Sequence, residues 1–262
     1  MFASPSEKRS SRARPRSREA AMPEPMTATQ PATRQRFTAA TRLERHRHVT
    51  GYTSVIVAGG YVEAGDSGRF RLRAGSVVFH RAFESHANHF DTTGAVVLNL
   101  PLPASAPDVA AGLLRDVDAV VRLARKDPRA AADLVASSPV APITGPGDWP
   151  DLLAAALRDN PSLGLREWAE TTGLAVETVA RGFKRAYGVS PKRYRADVRA
   201  LQAWRQIPRS TLPLAQLALA LGFTDQAHMT RDVVALTGRT PAALRRGAPL
   251  REGQVDPRTA RR

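Results

Sequence analysis

Two groups of residues in this sequence have types and spacings that could do chemistry. The first is imidazole. His46 and His48 stand two residues apart ahead of a β-branched run, Tyr52 follows them, and His86 lies beyond a second, glycine-led run. Imidazole nitrogen is a ligand for Zn²⁺ or Fe²⁺, so three histidines could hold a metal ion. The same side chains could instead line the polar wall of a ligand pocket, or be ordinary core or surface histidines. The second group is cationic. Arg181 and Arg231 occupy the same place in two copies of a pattern fifty residues apart. Arginine can read guanine bidentately and can also neutralise phosphate.

The chain that must position these groups has 262 residues, enough for one large domain or two modest ones. It has no cysteine, which excludes disulfides, thiolate zinc sites and cysteine nucleophiles and suits a reducing cytoplasm. No apolar run approaches the ~20 residues of a membrane span, and the N-terminus lacks the apolar core of a secretory signal, so no membrane partner is expected. The net charge is +15 and the pI about 11.3, which favours a polyanionic partner. All but Lys8, Lys126, Lys184 and Lys192 of the 39 cations are arginine. Such a bias can reflect genome composition, so the distribution of charge carries more than its total.

The pattern divides into five stretches. Residues 1–36 are rich in Ser, Arg, Pro and Ala without hydrophobic periodicity and read as a disordered basic tail, in which Met22 and Met26 are further candidate start sites. Residues 37–103 read as short strands punctuated by glycine, a sandwich or small barrel. Within them His80 and His89 read as structural, and Glu63, Arg69 and Arg71 as exposed-face residues. Residues 104–150 read as a helical linker ending in a Pro/Gly stretch, with Asp108–Arg125 a possible dimer helix. Residues 151–248 read as helical and carry 15 basic against 8 acidic residues, the largest local excess. Residues 249–262 read as a second tail.

The 151–248 stretch repeats itself. Gly188-Val-Ser-Pro191 is matched by Gly238-Arg-Thr-Pro241, and Trp168-Ala169 followed by Gly173 by Leu217-Ala218 followed by Gly222. Each copy reads as a short helix, a glycine turn and a second helix. Small Ala169 and Ala218 let the helices cross closely, and Gly173 and Gly222 supply the positive φ that ends the first. Asp225 is a helix N-cap, and Ser190-Pro191 and Thr240-Pro241 are N-cap and N1 pairs that start further helices. Between the copies Tyr194, Val198, Leu201, Ala203, Trp204 and Ile207 form the apolar face of a connecting helix.

The run Leu217-Ala-Leu-Ala-Leu-Gly-Phe-Thr-Asp-Gln-Ala-His-Met-Thr-Arg231, continuing to Leu236-Thr-Gly-Arg-Thr-Pro241, resembles the signature of AraC/XylS-type transcriptional regulators. Leu165–Tyr194 resembles the first helix-turn-helix of the same domain. The resemblance implies recognition helices at about Val176–Ala186 and Asp225–Leu236, entering successive major-groove segments about one helical turn apart. It implies DNA-facing side chains Glu177, Thr178, Arg181, Lys184 and Arg185 on the first, and Gln226, Ala227, His228, Thr230 and Arg231 on the second. Val179, Phe183, Met229 and Val233 should face inward. The sequence departs from the family in having Ala175 where a capping Ser is usual, Val233 in place of phenylalanine, and Asp232 beside Arg231.

His46-Arg-His48, Tyr52, Gly59-Gly60, Gly75-Ser-Val-Val-Phe-His80 and His86-Ala-Asn88 together resemble abbreviated cupin motifs, as in the sensor domains of the same family. In metal-binding cupins two paired histidines, a glutamate and a later histidine hold the ion. His46, His48 and His86 match three of these positions, and Tyr52 falls near the glutamate position. His46, His48, Tyr52 and His86 are thus the candidate effector-binding residues, with the three histidines also the metal candidates. No cofactor is otherwise implied.

The expected fold class is α+β in two domains, a cupin-like β-barrel followed by an all-α double helix-turn-helix. The expected function is sequence-specific transcriptional regulation by a non-enzyme, controlled by a small-molecule effector. Its partners would be double-stranded promoter or operator DNA, the effector, RNA polymerase and a second copy of the chain. Its place would be the bacterial cytoplasm, at the nucleoid. A metal-dependent cupin enzyme fused to a DNA-binding domain, and an architectural protein binding nucleic acid without sequence preference, are the competing classes.

Overall fold

The computed structural model describes residues 32–247. The two terminal tails expected from composition lie almost wholly outside the described residues.

The N-terminal unit is an antiparallel sheet of eight strands, β1 (Thr33–Phe37), β2 (Arg42–Arg47), β3 (Tyr52–Gly65), β4 (Gly68–Arg73), β5 (Ser76–His80), β6 (Ser85–Pro101), β7 (Ala111–Leu113) and β8 (Ala141–Pro142). β3 and β6 are the longest, at 14 and 17 residues, and pair along most of their length. Bulges between Ile56 and Ala58 and between Gly59 and Tyr61 bend this central pair. One half then carries β1 on β6 and β5 on β3, and the other carries β2 on β6 and β4 on β3. β7 extends β5, and β8 extends β7. Among the described residues one ladder ends at β1 and β8 and the other at β2 and β4, so the unit is a bent open sheet where the sequence suggested a cupin-like barrel.

Two boundaries differ from the sequence expectation. β1 begins at Thr33, inside the stretch read as a tail. Its Arg34 and Arg36 face solvent, and the strand is held by its ladder to Ala95–Asn99 and by Gln35, whose side-chain oxygen accepts from Asn99. Apolar periodicity could not reveal a strand of that kind. The 104–150 stretch is likewise part of the sheet's core. Asp108–Arg125 is not one helix, because Ala111–Leu113 pairs as a strand and α1 (Val117–Ala124) starts only where Asp116 caps it. α1 and α2 (Pro128–Ser137) bury Val120, Ala124, Ala131, Ala132 and Val135 against Val55, Val77, Phe79, Leu98 and Leu100.

The rest is helical: α3 (Trp149–Asp159), α4 (Leu165–Thr171), α5 (Val176–Tyr187), α6 (Pro191–Gln206), α7 (Leu214–Ala220), α8 (Gln226–Thr237) and α9 (Pro241–Arg245). The expected caps are present. Asp225 accepts from the His228 amide at 2.7 Å, and Ser190 and Thr240 cap α6 and α9. Ala175 gives α5 no side-chain cap. Gly173 and Gly222 take φ of 67° and 76°, the left-handed conformation that turns each first helix into its second. The α4–α5 unit packs around Leu153, Leu157, Trp168, Val179 and Phe183. The α7–α8 unit packs around Leu217, Phe223, Met229 and Val233. α6 serves both, with Tyr194 and Val198 in the first core and Ala203 in the second.

The packing of α2 on the sheet has a measurable consequence. Val135→Ala should lower the unfolding free energy by about 2 kcal/mol, from lost apolar burial and the cavity left behind. Urea unfolding followed by circular dichroism measures it. A change near zero would mean that the segment is a detached linker.

Candidate functional site

Two sites result, one on the helical unit and one inside the sheet. On the helical unit, α5 and α8 are the second helices of the two helix-turn-helix pairs. Their inward residues Val179, Phe183, Met229 and Val233 are all fully buried, as expected. Glu177, Thr178, Arg181, Lys184 and Arg185 are exposed on α5. Gln226, Ala227 and Arg231 are exposed on α8. His228 and Thr230 are only partly exposed and already have partners. His228 Nε2 lies 3.5 Å from Asp232, and the Thr230 hydroxyl donates to the Gln226 carbonyl at 2.8 Å. Four of the six positions on α5 and α8 that carry full charge are basic (Arg181, Lys184, Arg185 and Arg231), the others being Glu177 and Asp232.

The second site follows from strand register. β2 and β6 pair His46 directly with His86, and β3 and β5 pair Tyr52 with His80. The turn after β2 brings His48 to the same place. The His46 and His86 rings lie 4.4 Å apart centre to centre, His46 and His48 5.0 Å, and His80 and His86 4.5 Å. The Tyr52 hydroxyl stands 3.3 Å from His86 Nε2. The structure thus brings His46, His48, Tyr52 and His86 together, and His46, His48 and His86 are each less than 8% exposed.

Two residues join them that the sequence reading placed elsewhere. His80 was expected to be structural and Glu63 to face solvent, yet Glu63 is 2% exposed. Its Oε1 lies 3.7 Å from His80 Nδ1, and its Oε2 accepts from Asn88 at 3.1 Å. Period-2 alternation from buried Tyr61 was the available signal. Arg69, also expected to be exposed, bonds Asp148 and Asp151 at the start of α3. Arg71 is exposed, as expected.

Burial sets the charge of the cluster. It lowers His46, with Arg45 adding to the effect, pushes His48 down to about 3, and takes His80 and His86 well below the usual histidine range, neighbouring imidazoles adding to the effect in these last three. Burial also pushes Glu63 up to about 8. At neutral pH the cluster is therefore four neutral imidazoles and a protonated carboxyl. His46 Nδ1 donates to the Glu44 carbonyl at 2.7 Å, which fixes its tautomer and leaves Nε2 as an acceptor. His46 Nε2, His48 Nε2 and His86 Nδ1 have no hydrogen-bond partner. The cavity beside them measures about 30 Å³ and is lined by His46, Tyr52, Ser54, His80, His86 and Asn88 among others.

Acid stability tests this arrangement. The folded histidines stay neutral, whereas the unfolded chain takes up protons below about 6.5. Stability should fall with pH from there by up to about 1.4 kcal/mol per pH unit for each histidine. Glu63, raised to about 8, adds stability as pH falls from 8 to 4.5, and Glu84 and Asp197, also raised by burial, act in the same opposing sense, so the fall is shallower than four imidazoles alone would give. Urea midpoints should drop steadily between pH 6.5 and 5. A flat profile would mean that the rings are solvated.

Comparison with known proteins bears on the helical unit. A family model described as "Helix-turn-helix domain" matches residues 168–247. The HTH-type transcriptional regulator ExsA of Pseudomonas aeruginosa is 28% identical over 83 residues, 32% of this chain and 30% of ExsA. The HTH-type transcriptional activator RhaS of Pectobacterium carotovorum is 31% identical over 84 residues, 32% of this chain and 30% of RhaS. The chain thus matches less than a third of the length of these curated relatives. Among solved structures, ToxT of Vibrio cholerae is 7% identical with a TM-score of 0.38, covering 81% of this chain and 97% of ToxT. No helix among the described residues is long and apolar enough to cross a membrane. With its glycine-turned pairs α4–α5 and α7–α8 and these sequence matches, the 168–247 segment is a double helix-turn-helix similar to the domains of HTH-type transcriptional regulators.

Proposed function

We propose that this protein is a sequence-specific DNA-binding transcriptional regulator, with the α5 and α8 faces as its DNA-reading surfaces and the buried histidine cluster as its effector site. The observation that carries the reading is the pairing of two helix-turn-helix units on one shared helix, each presenting an exposed arginine, Arg181 or Arg231, at the same position. Glu177, Thr178, Lys184, Arg185, Gln226, Ala227, His228 and Thr230 complete the two faces. Arginine is the residue for guanine and glutamine for adenine, and in this reading Lys184, exposed on α5, neutralises phosphate. Promoter DNA is the partner in this role. RNA polymerase and a second copy of the chain are the further partners it implies, in the bacterial cytoplasm. ExsA and RhaS, matched over the helical unit, are regulators by name, which favours this reading over a cupin enzyme carrying an accessory domain.

The test is binding to sites selected from a random duplex library by the full chain. Affinity should fall steeply with salt, because each neutralised phosphate releases counterions. Arg181→Ala and Arg231→Ala should each cost ~1–3 kcal/mol on the selected site and little on random DNA. Lys184→Ala should weaken both alike. Equal losses for Arg181→Ala and Lys184→Ala on both DNAs would remove the base-reading role. A folded protein that selects no sequence would overturn the proposed function.

A further inference from the structure

The histidine cluster and the sheet face that docks on α6 share the same strand. Along β2 and the turn after it, His46 and His48 point into the sheet, while Arg45 and Arg47 point away from it toward α6. Arg45 bonds Asp66 and lies 3.8 Å from Asp197 of α6, and Arg47 reaches the same carboxylate at 3.6 Å. A second connection leaves from His48, whose carbonyl accepts from the Phe83 amide at 2.8 Å. Phe83 has a φ of 64°, unusual for a bulky residue, and is 1% exposed. Its ring packs edge-on to Trp204 of α6 at 4.9 Å and against Ala200, Leu201 and Leu236. Glu84, next in sequence, accepts from Arg205 of α6 at 2.5 Å.

The interior of the cluster fits one kind of occupant. One ligand atom each from His46, His48 and His86 lie within 4.8 Å of one another, as do atoms of Glu63, His80 and His86. Ligand nitrogens around a tetrahedral zinc stand about 3.3 Å apart, so small ring rotations close the first set. The three rings are more than nine-tenths buried, and each has a nitrogen without a partner. A buried acceptor left unpaired is costly, and an ion coordinated by all three removes that cost. His46 is already oriented through its other nitrogen, as metal-bound histidines usually are. The 30 Å³ cavity takes an ion with a water, whereas an organic ligand needs a pocket of about 300 Å³ or more. Imidazoles with a carboxyl nearby suit Zn²⁺, Ni²⁺, Co²⁺ or Fe²⁺ over the harder Mg²⁺ and Ca²⁺.

We propose that His46, His48 and His86 bind a divalent transition-metal ion, and that β2 and the Phe83–Glu84 turn pass its presence to α6 and hence to the spacing of α5 and α8. The effector of the regulator is then the ion itself. This rests on the reading of α5 and α8 as DNA-binding, and the test separates the two.

The full-length protein is stripped with a chelator and titrated with Co²⁺, followed by its visible d–d spectrum, and with Zn²⁺, followed by metal analysis after dialysis. DNA affinity on a library-selected site is measured with and without Zn²⁺. The expected result is one ion per chain, lost in His46→Ala/His48→Ala and also in His48→Asn, each checked for folding by circular dichroism. Zn²⁺ should change DNA affinity by about 5- to 150-fold, the usual range of coupling between sites. Arg47→Met/Glu84→Gln/Arg205→Met should keep the ion and lose that change. A folded protein that retains no metal, yet selects DNA, overturns the metal site and leaves the regulator reading intact. A protein that binds one ion but no DNA sequence supports the site and overturns the regulator reading. Equal DNA affinity with and without bound Zn²⁺ overturns the link to α6.

Discussion

The carboxylate of Asp197 is the interaction on which the arrangement turns. It is 8% exposed on α6, and Arg45 and Arg47 of the sheet and Arg193 of its own helix surround it. Burial pushes its pKa up and the arginines pull it down, so the charge is tolerable only while they stay in place. Removing one partner of a buried pair leaves an uncompensated charge, typically at a cost of about 3–5 kcal/mol. The sheet and the helical unit are therefore held in one orientation by a contact that neither can make alone.

α6 is suited to this because it belongs to every neighbouring core. Tyr194 and Val198 close the first helix-turn-helix, Ala203 and the following Ile207 close the second, and Ala200 and Leu201 meet Phe83 of the sheet. The Tyr194 hydroxyl accepts from Arg158 of α3 at 2.9 Å and donates to the Asp66 carbonyl at 3.4 Å, again joining the helical unit to the sheet. Packed interiors resist gradual deformation, so a shift of the sheet against α6 moves the two units relative to one another.

The helical unit was the more legible half of the sequence. Its signals are local: Gly173 and Gly222 at positive φ, Asp225, Ser190 and Thr240 as caps, and apolar residues at helical spacing. All appear where the chain alone placed them. The sheet was read only in part. His46 and His86 do come together, but their direct pairing depends on the register of strands forty residues apart. Glu63 was misplaced because a buried carboxyl breaks the alternation of polar and apolar residues that reveals a strand's faces. β1 was missed because its strand is mostly polar, and the docking of α1 and α2 on the sheet because a periodic segment does not disclose what covers it. The Asp197 contact had no sequence signal, since it joins residues about 150 apart that have no local pattern in common.

The central claim is that α6 holds two DNA-reading helices on one face of the duplex. Hydroxyl-radical footprinting of the full chain on a library-selected site tests it most directly. The account predicts two protected patches about one helical turn apart on the same face, with guanine methylation interference in the major groove within each. A single patch, or even protection without groove-specific interference, would contradict it.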